Sequence, residues 1–147
     1  VTIAWYMDTT TKLKLVVPAI YALFCSVFFI ITWPEYPSLY NFAGVATSSI
    51  AFFLWLLARV QLGNSFSIAP KADGLVQSGV YSKLRHPVYY FSILAVLGLA
   101  IYTWSPLGAV AVVLLIILEL YRIRKEEAIL TQKYGDTYVA YKNKTWF

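Results

Sequence analysis

The chain has a single histidine, and it stands in Arg85-His86-Pro87, directly before an apolar run that starts at Val88. Pro87 suits the first turn of a helix, because it lacks an N–H that would go unsatisfied there and its φ is already helical. Arg85 and His86 are therefore expected at the positive end of a helix, where free N–H groups attract anions. Arg85 adds a guanidinium that stays protonated. Farther along, Glu126-Glu127 supplies two adjacent carboxylates. Packed together, one Arg, one His, two Glu and several tyrosines would make a site open to the cytoplasm for a polar ligand and to the bilayer for a greasy one. The lone Cys25 has no partner for a disulfide or a metal site and reads as a small core or lipid-facing residue.

Composition says what must hold these groups. The 147 residues are 60% hydrophobic, 18% aromatic and 13% charged, with mean hydropathy +0.65. A soluble domain carries roughly 25% charged residues. The expected class is all-α, a multi-pass membrane helical bundle forming one domain over residues 1–147. The net charge of +5 reflects membrane topology rather than nucleic-acid binding, because the basic residues lie where the positive-inside rule puts them.

About four transmembrane helices are expected. Residues Val1–Thr11 read as a mixed, interfacial start with Trp5 and Tyr6. The first apolar run, Leu15 to Trp33, reads as a retained span, with Pro18 near its start. Its length is close to the roughly 20 residues a span needs, and no small-residue cleavage site follows it. Trp33-Pro34-Glu35-Tyr36-Pro37-Ser38 is a tight loop with prolines that stop the helix. The second span is Leu39 to Leu62. Its Gly44, Ala46, Ser48, Ser49 and Ala51 would let another helix come close, and Arg59 near its end would snorkel.

A polar loop follows from Leu62 to Gly74, then a short interfacial segment, Leu75 to Leu84. Val88 to Trp104 and Leu107 to Leu120 form a tight helical hairpin around Ser105-Pro106. From Glu119 the last helix leaves the membrane as an amphipathic rod. Ile123, Leu130 and Tyr134 share one face, and Arg122 is expected to pair with Glu126 at i,i+4. Glu119 is either an interfacial residue or a partner for an arginine. Gly135 ends the rod, and Asp136 caps a last short helix carrying Tyr138 and Tyr141. With an even number of spans, both termini and the motif loops lie on the basic, cytoplasmic side.

Leu62-Gly63-Asn64-Ser65-Phe66-Ser67 is followed by Leu75-Val76, Gly79, Tyr81, Arg85-His86-Pro87 and Tyr89. Glu126-Glu127, Leu130, Tyr134-Gly135, Tyr138 and Tyr141 complete the series. This ordered set resembles the isoprenylcysteine carboxyl methyltransferase family and its phospholipid methyltransferase relatives, over the stretch from Leu62 to Tyr141. The resemblance implies S-adenosylmethionine as cofactor, bound at the cytoplasmic end of the helices. It implies Arg85 and Glu127 as catalytic residues, and Tyr81, His86, Pro87, Tyr89 and Glu126 as cofactor-binding residues. Asn64 and Ser65 would be weak contacts at most.

The acceptor implied is lipophilic or small, with an isoprenylcysteine carboxylate first and a phospholipid amine or small thiol also open. Two other readings stand beside it. One is a nicotinamide-dependent membrane reductase of the sterol-reductase type; the other is a non-catalytic binding or assembly protein on the same scaffold. Two departures bear on these: Phe91 stands where the family has glycine, and the sequence ends at Trp146-Phe147, before the basic segment and proline that close the family's pocket.

Overall fold

The computed structural model describes residues 9–62 and 75–146, the side chains of 9–15 and 17 excepted. Among these residues there are five α-helices and no strand. The chain divides into two compact units, Val1–Pro37 and Ser38–Phe147. The expectations for Trp5, Tyr6, Asn64 and Ser65 lie outside the described residues.

The first unit holds α1, Thr9–Ile31. It starts earlier than its apolar run, which places Pro18 in the helix interior rather than near its start. There the ring removes one backbone hydrogen bond. The helix ends before Trp33-Pro34, where proline disfavours helical backbone in the residue ahead of it.

The second unit is built on α2, Leu39–Leu62, and α3, Pro87–Thr103, packed antiparallel. The buried residues of α2 include Asn41, Gly44, Ser48, Ala51 and Ala58, one stripe at helical spacing. A Cβ on Gly98 of α3 would collide with the Ser48 backbone, and one on Gly44 would lie 2.7 Å from the Gly98 carbonyl. The helices thus cross backbone to backbone, a contact open to small residues. Ala46 and Ser49, expected on the same face, are exposed. Arg59 does not snorkel: it is buried, with its guanidinium 5.1 Å from the centre of the Trp55 ring.

Helix α3 begins at Pro87, with His86 as its N-cap. Trp104 ends it in the left-handed region at φ 45°. Ser105 caps α4, Pro106–Tyr134, its hydroxyl accepting from Gly108 N at 3.1 Å. Helix α4 is 29 residues long, about 43 Å at the α-helical rise. It runs unbroken from apolar sequence into the charged rod, where Ile123, Glu126, Glu127, Leu130 and Tyr134 are half-buried.

Gly135, at φ 49°, turns the chain directly into α5, Asp136–Lys144. Asp136 therefore does not cap α5; it is the first helical residue, and the turn at glycine leaves no place for a capping side chain. Helices α2 and α4 are each long and apolar enough to cross a membrane. The apolar part of α1, Pro18–Ile31, and α3 are shorter.

Candidate functional site

The site lies where the N-terminus of α3 meets the charged half of α4 and the short α5. A 3-10 turn, Gly79–Ser82, leads into it. Gly79 adopts φ 62°, a left-handed conformation that suits glycine. Gln61, at the end of α2, accepts from Val80 N at 2.8 Å and fixes the turn. The turn buries Tyr81.

His86 is only 4% exposed, and its ring spans the adjacent carboxylates of α4. Nδ1 is 3.4 Å from Glu126 Oε2, and Nε2 is 3.5 Å from Glu127 Oε1. The Tyr89 ring, one turn into α3, lies beside it with centroids 5.8 Å apart. Arg85 Nε is 3.7 Å from Glu127 Oε1. These separations exceed direct hydrogen bonds. Pro87 is fully buried behind them. Every residue nominated as catalytic or cofactor-binding from the sequence is thus gathered at this junction.

Residues outside that set complete it. Lys142 of α5 donates to Glu127 Oε2 at 2.9 Å. Tyr138 is 1% exposed and Tyr141 is buried against it, their ring centroids 6.1 Å apart. The Tyr141 hydroxyl donates to the Tyr81 carbonyl at 2.6 Å. Trp146 N donates to the Lys83 carbonyl at 2.9 Å, and Lys83 Nζ lies 6.0 Å from the Trp146 ring centre. The spacing of Tyr138 and Tyr141 on one helical face was visible in the sequence. Lys142 was not, because nothing marks one exposed lysine among several until α5 is folded back.

Electrostatics separate the groups. Burial alone would raise the Glu127 carboxyl, but Lys142, by hydrogen bond and charge, with Arg85 and His86, outweighs it and holds the carboxyl below its ordinary value. Burial pushes the Tyr141 hydroxyl up to about 12 against the nearby Arg85 charge. Burial lifts Tyr81 further, with Glu126 adding to it. Tyr138 is likewise raised by burial and then by Glu127. All three phenols therefore stay protonated near neutral pH, as hydrogen-bond donors.

Arg122 does not pair with Glu126. Its Nη1 is 3.4 Å from Glu119 Oε2, one turn toward the apolar half of α4. Glu119 is 4% exposed, with Ser92 Oγ at 3.2 Å from its Oε1. That hydroxyl also lies 2.7 Å from the Tyr89 carbonyl, so its one proton is shared. A carboxylate buried between apolar helices needs a counter-charge, whereas Glu126 is turned to His86. An apolar groove of about 550 Å³ at the other end of the α3–α4 hairpin is lined by residues such as Leu97, Ile101, Trp104 and Val113. It contains no ionisable group for group-transfer chemistry.

Residues 39–137 match the phospholipid methyltransferase family. The protein-S-isoprenylcysteine O-methyltransferase of Schizosaccharomyces pombe is 33% identical over 136 residues, covering 82% of this chain and 56% of that protein. The chain therefore spans about half the length of this curated relative.

Proposed function

Because this chain belongs to the phospholipid methyltransferase family, we propose that it is an integral membrane enzyme transferring a methyl group from S-adenosylmethionine to a lipophilic acceptor, with an isoprenylcysteine carboxylate the first choice. One observation carries this reading: Tyr81 Oη, Arg85 Nε, His86 Nε2, Glu126 Oε2 and Tyr138 Oη are buried at one junction without a hydrogen-bond partner. Buried polar atoms are normally paired. A set left open in one place, with both charge signs and neutral donors, fits a ligand carrying an ammonium and a carboxylate.

When bound, S-adenosylmethionine supplies an electrophilic methyl group on a sulfonium. The work left to the protein is alignment and the exclusion of water. Glu126 offers its open oxygen to an ammonium. Arg85, steadied by Glu127, faces a carboxylate, whether the donor's or the acceptor's. Tyr81 and Tyr138 donate hydrogen bonds. Pro87 and Tyr89 close the wall on the α3 side. A carboxylate acceptor is ionised at neutral pH, so the site needs no general base. In the bilayer, four spans place both termini and the motif loops on the cytoplasmic side, where a polar donor arrives from water and a greasy acceptor from lipid.

The test is calorimetric titration of the purified protein in detergent with S-adenosylmethionine, His86→Ala serving as control. Binding that the substitution weakens, followed by methylation of a prenylcysteine analogue, is the expected result. Absence of binding in folded protein overturns the reading.

A further inference from the structure

We propose that Lys142 is a positioning residue that keeps the Arg85 guanidinium open to a ligand carboxylate by drawing Glu127 away from it. The inference rests on the donor-and-acceptor reading of the site given above.

An arginine beside a glutamate ordinarily closes into a short, often bidentate pair. Here it does not. Arg85 Nε stops 3.7 Å from Glu127 Oε1, and Nε is buried with no acceptor. The two side chains come from different elements, Arg85 from the segment before α3 and Glu127 from α4. The closest contact of Glu127 lies on its other oxygen, where Lys142 Nζ donates to Oε2 at 2.9 Å.

That lysine is well placed to pull. It sits on α5, which Tyr141 ties to the Tyr81 carbonyl and which Trp146 ties to Lys83 just beyond the helix. The backbone behind Lys142 is thus fixed on both sides. Glu127 is held between a lysine on one oxygen and His86 with Arg85 facing the other. The charge that would otherwise close on Arg85 is already engaged. What remains is a buried guanidinium N–H with an anion near enough to compensate it but too far to satisfy it. A planar carboxylate from a ligand is the group that fits that fork.

Without the lysine, Glu127 is free to turn both oxygens to Arg85, and an incoming carboxylate must then displace an internal one. The cost falls on binding of carboxylate-bearing ligands, and ligands lacking that group are spared.

The experiment compares wild type, Lys142→Met and Lys142→Arg in detergent by calorimetry, with thermal unfolding as the check on folding; Lys142 is exposed, and the conservative Lys142→Arg keeps the charge. One arm titrates S-adenosylmethionine and its decarboxylated analogue, on variants that unfold cooperatively. The other titrates N-acetyl-S-farnesylcysteine and its carboxamide. Lys142→Met is expected to weaken one carboxylate ligand about tenfold, roughly the 1.4 kcal/mol that a factor of ten represents. Its carboxylate-free counterpart is unchanged, and Lys142→Arg restores binding.

An effect in the first arm assigns Arg85 to the donor's carboxylate; an effect in the second assigns it to the acceptor's. Equal affinities for wild type and Lys142→Met in both arms overturn the proposal and leave the proposed function standing. So does equal weakening of a ligand and its carboxylate-free analogue. Failure of wild type to bind any of these ligands overturns both.

Discussion

The Tyr141 hydroxyl donates to the Tyr81 carbonyl at 2.6 Å, joining α5 to the 3-10 turn across sixty residues of chain. Both residues are buried, so the bond is made away from water. Tyr141→Phe keeps the ring and removes the donor, leaving a buried carbonyl unpaired. The expected cost is about 1–2 kcal/mol, read as a lower denaturation midpoint in detergent. Donor affinity should fall as well, because α5 carries Tyr138 and Lys142 into the site. A variant as stable as wild type would mean the carbonyl finds another donor.

Glu127 provides a pH signature. Its carboxyl is held below its ordinary value in the folded chain, with Lys142 the main opponent of burial. A depressed folded value means that the native state favours the ionised form. The stability this adds is fully present above the unfolded value, about 4.3 for glutamate. It is lost as pH falls through the lower folded value. Lys142→Met should therefore lose stability relative to wild type at neutral pH, and the difference should shrink steadily in acid. Thermal midpoints from pH 7 to pH 3 check this; a gap that stays constant with pH would exclude the linkage.

Much of this architecture was legible because it rests on strong local signals. Pro87 and Ser105-Pro106 fixed helix starts to within a residue, and Gly135 fixed a helix end. Small residues marked the α2 face, but of them Gly44, Ser48 and Ala51 are buried, while Ala46 and Ser49 are exposed. Side-chain size alone does not say which face a neighbour covers. The site residues nominated from spacing do meet, since a hairpin brings the start of α3 beside the middle of α4. Pairing was less legible. Arg122 stood about one turn from both Glu119 and Glu126 along the helix, and burial decided between them. Lys142 reaches Glu127 only because the chain folds back at Gly135.

The α2–α3 crossing makes a sharp prediction. A methyl group on Gly98 would meet the Ser48 backbone, and neither helix can yield without separating. Gly98→Ala should cost about 1–3 kcal/mol by overpacking, despite alanine's better helix propensity. Ser49→Ala, on the exposed side of the same helix pair, should be neutral. Unfolding of both variants in the same detergent gives the comparison, and a stabilised Gly98→Ala would show that the helices do not approach this closely.

Asn41 secures the far end of the same pair. Its Nδ2 donates to the Tyr102 carbonyl at 3.0 Å, while its Oδ1 accepts from Ser38 N at 2.8 Å and Ser38 Oγ at 2.6 Å. One buried amide thus satisfies the start of α2 and the end of α3 together. In a bilayer a buried carbonyl has no water to turn to, so a donor reaching it across the helix pair is worth more than on a wet surface. Asn41→Ala should destabilise by about 1–3 kcal/mol. Asn41→Asp keeps the acceptor for Ser38 but, ionised, faces the Tyr102 carbonyl without a donor, so it should lose most of the same stability. An aspartate variant as stable as wild type at neutral pH would show that the bond to Tyr102 is dispensable and that Asn41 acts only on the first turn of α2. Ser38→Ala, which removes only a hydroxyl from the other side of the amide, provides the scale for that comparison.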